Sequence, residues 1–332
     1  MKVARLHGVA DVRISDEPTP TPGPGMSLVR VTAVGLCGSD LHWYTEAGIG
    51  DVRLEQPLVM GHEFAGVIEG GPRDGERVAV DPAIPCDECE MCQSGHRNLC
   101  PTVGFAGHGG HDGALQEYVT WPTALLYRLP DTVSDIDGAM LEPLGVALHA
   151  LDLGRLRLGA TVGVFGCGPI GLLLVQLARF AGATSVLASD PLPHRRDAAA
   201  RLGADQVWDP GSAQDLAASV DVAFEVAGSD AAVDDALVAA RPGALVVLVG
   251  IPDGDTTTFR ASLARRKGLT LVLARRMNET YARAITLVQQ GRVDVASLVT
   301  ERYPIEAAPE AFAAAASRRG LKIIVEPGRH LT

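Results

Sequence analysis

The chain has 332 residues, 47% of them hydrophobic and 21% charged, with a formal net charge of −11 at pH 7. That length supplies two ordinary domains with cores of their own, and the acidic balance argues against a nucleic-acid footprint, which needs clustered Lys and Arg. The amino terminus, Met1-Lys2-Val3-Ala4-Arg5-Leu6, has no long apolar run or small-residue cleavage site, and no later stretch reaches spanning length without charge or glycine. The expectation is a cytoplasmic protein with neither signal peptide nor anchor.

Residues 1–143 read as short strands, such as Ser27 to Val34, cut by turns such as Pro22-Gly23-Pro24-Gly25, which predicts a mostly β, loop-rich unit. Three stretches in it carry metal-binding side chains: Gly35-Leu36-Cys37-Gly38-Ser39-Asp40-Leu41-His42, Met60-Gly61-His62-Glu63-Phe64, and Leu141-Glu142-Pro143-Leu144. Singly each is bland, since a lone Cys is usually a small core residue. Together a thiolate, an imidazole and a carboxylate suit an open zinc site, which needs three protein ligands and a vacant position.

Between them Cys86, Cys89, Cys92 and Cys100 stand at the spacing C-x2-C-x2-C-x7-C in a loop bounded by Pro and Gly. Thiolates at such short intervals let one loop wrap a tetrahedral ion at about 2.3 Å per Zn–S bond. Disulfides or an iron–sulfur cluster are the alternatives, and a reducing compartment favours metal over pairing.

From residue 144 to 274 strands alternate with helices: Thr161 to Phe165, Ile170 to Ala181, Ser185 to Ser189, Arg195 to Leu202, Val220 to Glu225, Ala231 to Ala240, and Ala244 to Val249. Alternation of this kind predicts a parallel, doubly wound sheet. The run Gly166-Cys167-Gly168-Pro169-Ile170-Gly171 follows the first strand and opens the first helix, which is the context a G-x-G-x-x-G needs to cradle a pyrophosphate. Asp190 ends the next apolar run, nineteen residues past Gly171, where a carboxylate accepts ribose hydroxyls and repels a 2′-phosphate. NAD is therefore expected, with NADP the alternative that Arg195 and Arg196 keep open. Val249, Gly250 and Ile251, at the end of a later strand, are further cofactor-binding candidates. From Arg275 onward a helix near Glu279 to Gln289, a second near Pro309 to Arg318 and a strand Leu321 to Val325 are assigned back to the first domain.

These stretches, with Asp112-Gly113-Ala114-Leu115 and Gly320-Leu321-Lys322-Ile323-Ile324, resemble the zinc-dependent medium-chain dehydrogenases over essentially the whole chain, in the branch of sorbitol, xylitol, L-idonate and L-threonine dehydrogenases. The resemblance implies an α/β fold in which a GroES-like β-rich catalytic domain (1–143 and 275–332) is split around a Rossmann domain (144–274). It implies a catalytic zinc held by Cys37, His62 and Glu63, with Glu142 either a fourth ligand or a partner of the ligands, and a structural zinc in the four-cysteine loop. Ser39 matches the hydroxyl that receives the substrate proton, and His42 either passes it toward solvent or merely packs. The implied reaction moves hydride between a secondary alcohol and NAD. A polyol or sugar acid with a vicinal diol is the leading substrate class, with Tyr44, Phe105 and Arg275 as pocket candidates. Met277-Asn278-Glu279-Thr280-Tyr281 resembles a threonine-dehydrogenase stretch, and His108 and His111 stand where polyol enzymes carry a different loop. L-threonine and 2,3-butanediol therefore remain alternative substrates. A zinc- and nucleotide-binding protein without turnover has no reason to keep Cys37, Ser39, His62 and Glu63 together. A homotetramer is expected from the resemblance.

Overall fold

The computed structural model describes residues 1–210 and 216–328, so residues 329–332 of the expected returning segment lie outside the described residues. The chain divides into two compact units, one of Met1–Pro143 with Tyr281–Thr332 and one of Leu144–Thr280. Residues 275–280, expected with the returning segment, fall in the second unit. No described helix is long and apolar enough to cross a membrane.

The first unit is built on a seven-stranded sheet whose long middle strand, Met26–Gly35, alternates β-branched residues that suit a pleated surface. Glu63–Glu69 pairs antiparallel along one side of it, and Tyr118–Pro122 pairs with its first half. The closing strand Lys322–Glu326 pairs antiparallel with its end, Ile324 opposite Gly35 and Val325 opposite Val34. Val29, Val31, Val34, Phe64, Val78, Val80 and Val325 belong to a single buried core cluster. The helix Tyr281–Gln289 is pinned by its first residue: Tyr281 is buried, its hydroxyl donates to the Val80 carbonyl at 2.5 Å, and its ring stacks on Tyr127.

The second unit is a six-stranded parallel sheet in the order Gln206–Trp208, Ser185–Ser189, Thr161–Phe165, Val220–Glu225, Ala240–Leu248, Thr270–Leu273. The expected doubly wound sheet is thus present, and the direction of winding reverses between Thr161–Phe165 and Val220–Glu225. Ligands of such sheets bind at the carboxyl ends of the strands beside that reversal. Three of the connecting helices start at an identifiable residue: Pro169 and Pro193 stand in the first turns of Pro169–Phe180 and Pro193–Arg201, and Ser229 caps Asp230–Ala239.

Candidate active site

The four-cysteine loop brings Cys86, Cys89, Cys92 and Cys100 together with all four sulfur atoms within 4.8 Å of one another. None is in a disulfide, and the Cys86 and Cys100 sulfurs lie 3.6 Å apart. Backbone N–H groups point at three of the sulfurs: Cys89 donates to Cys86 Sγ and Cys86 to Cys100 Sγ at 3.4 Å each, and Cys92 to Cys89 Sγ at 3.5 Å. Such donors favour thiolate over thiol, and the N–H of Cys86 is the leading cause that lowers the Cys100 thiol to about 6. Burial instead pushes Cys92 up to about 12. Arg97 clasps Asp87 through two 2.8 Å bonds across the loop. A donor set of four thiolates fits a zinc ion and leaves it no open position.

Elsewhere in the first unit Cys37, His62 and Glu63 place one ligand atom each within 4.8 Å of the others. Cys37 is the N-cap of the helix Gly38–Glu46, and its backbone N–H donates to Asp40 Oδ2 at 2.9 Å. His62 is presented by Gly61, whose φ of 90° is open to glycine at little cost and whose absent Cβ would strike Val34 Cγ1 at 2.7 Å. Glu63 opens the strand Glu63–Glu69, and a Cβ on the opposing Gly35 would collide with its Oε2. The sheet register thus fixes where this carboxylate lies.

Around these three the structure adds two residues that sequence reading did not single out. Asp40 is buried, accepts from Gly61 N–H at 3.2 Å and sits 3.5 Å from His62 Nδ1. Burial opposes ionisation of both groups, yet the Asp40 charge holds the His62 imidazole well above its ordinary value, and His62 lowers the Asp40 carboxyl. A carboxylate on the far nitrogen of a ligating histidine fixes its tautomer and orientation. Lys322 is the second: its buried ammonium donates to Glu63 Oε1 at 2.7 Å, Glu63 Oε2 at 2.5 Å and the Leu36 carbonyl at 2.9 Å.

Glu142 lies in the first turn of the helix Leu141–Gly154, buried, and outside the set of three mutually close ligand atoms. Burial lifts its carboxyl to about 7, with His62 and Lys322 lowering it and Glu63 raising it. Ser39 Oγ is 3.4 Å from His62 Nε2, and His42 Nδ1 is 3.2 Å from Glu46 Oε1 one helical turn on. Phe105 is buried, and its ring tilts over His62 with centroids 5.2 Å apart. Tyr44 is turned the other way and stacks on Phe312 at 5.2 Å, whereas its neighbour Trp43 meets His108 edge-on at 5.5 Å. Arg275 is exposed and belongs to the second unit, just past the strand Thr270–Leu273.

In the second unit the glycine loop has the shape a dinucleotide requires. Gly166 has φ 109°, its Cβ would meet Ala227 N at 2.8 Å, and a Cβ on Gly171 would overlap the Gly166 carbonyl. Gly168 caps the helix Pro169–Phe180, whose first turn carries Pro169 and Ile170, and the nearest atom to its missing Cβ is Arg195 Nη1 at 3.8 Å. A pyrophosphate at that helix start would meet backbone N–H groups. Asp190 is buried and accepts from Cys167 N–H at 2.8 Å and Leu192 N–H at 2.9 Å, with Arg195 Nη1 3.9 Å away. Val249, Gly250 and Ile251 follow the strand Ala240–Leu248, and Ile251 is exposed.

The same architecture recurs in known proteins. Residues 23–131 match the alcohol dehydrogenase GroES-like domain, and residues 169–290 match the zinc-binding dehydrogenase family. Sorbitol dehydrogenase from Bacillus subtilis (strain 168) is 34% identical over 345 residues, covering 99% of this chain and 98% of that protein. L-idonate 5-dehydrogenase from Escherichia coli superposes with a TM-score of 0.92 at 26% identity, covering 98% of this chain and 97% of that chain. A dehydrogenase structure from Sinorhizobium meliloti bound to NADP gives a TM-score of 0.89 at 32% identity, covering 98% and 99%. The chain belongs to the zinc-binding alcohol dehydrogenase family. Its place there is the polyol dehydrogenase branch of the medium-chain enzymes, and it is an oxidoreductase.

Proposed function

We propose that this enzyme oxidises a secondary hydroxyl of a polyol or sugar acid, one carbon of a vicinal diol, to the ketone with NAD. The observation that carries the reading is the three-ligand cluster of Cys37, His62 and Glu63 with the Ser39 hydroxyl 3.4 Å from His62. When bound, zinc supplies Lewis acidity to an alcohol oxygen, and a nicotinamide supplies the hydride acceptor. Cys37 and His62 would hold the metal, and Asp40 keeps the imidazole aimed. Glu63 is shared with Lys322 and Glu142 is buried nearby, so either carboxylate is available as a further ligand. Ser39 would receive the substrate proton, and His42, beside the half-exposed Glu46, would pass it toward solvent. The Phe105 ring against His62 provides an apolar wall that keeps water from the reacting carbon.

The likeness to sorbitol and L-idonate dehydrogenases supports a polyol or sugar acid over L-threonine. Tyr44 and Arg275 remain proposals as substrate contacts. The Asp190 carboxylate supports NAD; Arg195 beside it and the NADP bound to the Sinorhizobium meliloti relative are the grounds for the alternative. A cytoplasmic homotetramer is the assembly we propose. The test is NAD and NADP reduction with sorbitol, xylitol, L-idonate, 2,3-butanediol and L-threonine, before and after zinc is stripped by a chelator. Metal-dependent turnover of a polyol or sugar acid with NAD is expected. Turnover of no polyol or sugar acid among the five, or turnover indifferent to zinc, would sink the reading, and gel filtration with light scattering checks the tetramer.

A further inference from the structure

At the carboxyl end of Val220–Glu225, the first strand past the winding reversal, stands a buried carboxylate that the chemistry above does not use. Glu225 is 1% exposed. Its Oε1 accepts the N–H groups of Ala227 and Gly228 at 2.7 Å each. Its carbonyl accepts from Val249 at 2.8 Å and Gly250 at 3.2 Å. The neighbouring loops are packed backbone on backbone around it. A Cβ on Gly250 would overlap Gly228 N and come within 2.9 Å of Glu225 Oε2; a Cβ on Gly228 would overlap the Ile251 carbonyl. Gly166 of the glycine loop abuts Ala227 in the same way.

An ionised carboxylate accepts at about four lone-pair sites and donates nothing, so it suits a pocket where backbone N–H groups converge. Burial raises the Glu225 carboxyl, and the backbone N–H groups oppose that rise. In a doubly wound sheet each half takes one mononucleotide, and the glycine loop and Asp190 claim the adenosine half. The loops that Glu225 gathers, 226–229 and 249–251, edge the half left for the nicotinamide. We propose that Glu225 is a positioning residue for the dinucleotide, fixing these two loops and placing a negative charge that favours the oxidised, cationic nicotinamide over the reduced, neutral one. This rests on the dinucleotide reading of the second unit.

The experiment is fluorescence titration of the zinc-loaded wild-type, Glu225→Gln and Gly250→Ala proteins with NAD and NADH, repeated with the NADP pair, alongside zinc content and Tm. Glu225→Gln keeps the shape, loses the charge and turns two donors toward N–H groups. Its Kd for the oxidised form should rise roughly tenfold, and that for the reduced form markedly less. In turnover the loss should fall on KM for the cofactor rather than on kcat. Gly250→Ala disturbs the same cradle but keeps the charge, so both forms should weaken alike. Unchanged binding in Glu225→Gln, or equal weakening of both forms, overturns the proposal. If Glu225→Gln does not fold, wild-type affinity in Gly250→Ala overturns it. A wild-type protein that binds no dinucleotide at all would instead overturn the reading of the second unit.

Discussion

The Lys322 ammonium, from the closing strand, sits 2.7 Å and 2.5 Å from the two carboxylate oxygens of Glu63, from the strand that follows the Gly61 turn. Both side chains are at most 2% exposed. Burial lowers the Lys322 pKa, but Glu63 and the other acidic groups around it raise it on balance, so the ammonium is held charged. If Glu63 is a zinc ligand as proposed, a pair so placed gives the metal a competitor for it.

Lys322→Met removes that competitor and leaves Glu63 buried without a counter-charge, which should destabilise the metal-free protein by about 3 kcal/mol. With zinc bound, Glu63 has the cation as its partner and the loss should shrink. Urea unfolding of both proteins, with and without zinc, measures this. An equal loss in the two states would mean that Glu63 never exchanges between lysine and metal.

Asp40 lies beside two of the proposed zinc ligands, accepting the Cys37 N–H at 2.9 Å and facing His62 Nδ1 at 3.5 Å. Asp40→Asn discards the charge beside Nδ1, 3.5 Å away, and leaves one acceptor oxygen where the Cys37 and Gly61 N–H groups each meet a different carboxylate oxygen. Zinc affinity at this site should fall about 10- to 100-fold, read by competition with a chromophoric chelator. A fall in Tm with zinc affinity unchanged would assign Asp40 to helix capping alone.

In the cysteine loop the thiols are unequal before any metal arrives. With Cys100 lowered to about 6 and Cys92 raised to about 12, the four loop cysteines of the zinc-stripped protein should be alkylated at Cys100 first and at Cys92 last, at pH 7. Peptide mass spectrometry after a timed pulse of iodoacetamide reads the order. Cys92→Ser should leave one zinc per chain and lower Tm, since the metal holds the loop closed.

What was legible in the sequence is what local geometry dictates. The glycine loop, the cysteine spacing and the strands Thr161–Phe165, Ser185–Ser189 and Val220–Glu225 follow from turn chemistry and apolar runs a few residues long. The Lys322 and Glu63 pair spans 259 residues, and only the antiparallel pairing of Lys322–Glu326 with Met26–Gly35 brings the two together. Asp40 is a first-turn acid of the helix Gly38–Glu46, an element the sequence reading did not predict, and its place beside His62 needs the Gly61 turn folded over it. Trp43 and Tyr44 are adjacent aromatics on one short helix, and no periodicity in so brief a segment decides which meets His108 and which meets Phe312. Residues 275–280 fell in the unit opposite to the expected one because a chain crossing between domains carries no composition change over so few residues.

Cys167, in the middle of the glycine loop, supplies a test of the second unit that needs neither metal nor cofactor. It is fully buried, its thiol is pushed up to about 12 by burial and then by the Asp190 charge, and its Sγ lies 3.4 Å from the Ser189 carbonyl. In the unfolded chain the same thiol titrates at its ordinary value of 9.0. Between these values the unfolded state has lost the proton and the folded state keeps it, so rising pH favours unfolding. The stabilisation is complete below about 9 and is lost by about 1.4 kcal/mol per pH unit up to about 12. Cys167→Ala removes this dependence and substitutes a constant loss for the smaller side chain. The stability gap between wild type and Cys167→Ala should therefore be flat from pH 7 to about 8.5 and close, then reverse, as pH climbs past 9. Urea unfolding at stepped pH measures the gap. Parallel curves through pH 10.5 would mean that the thiol ionises as easily folded as unfolded, and that the loop around it opens to water.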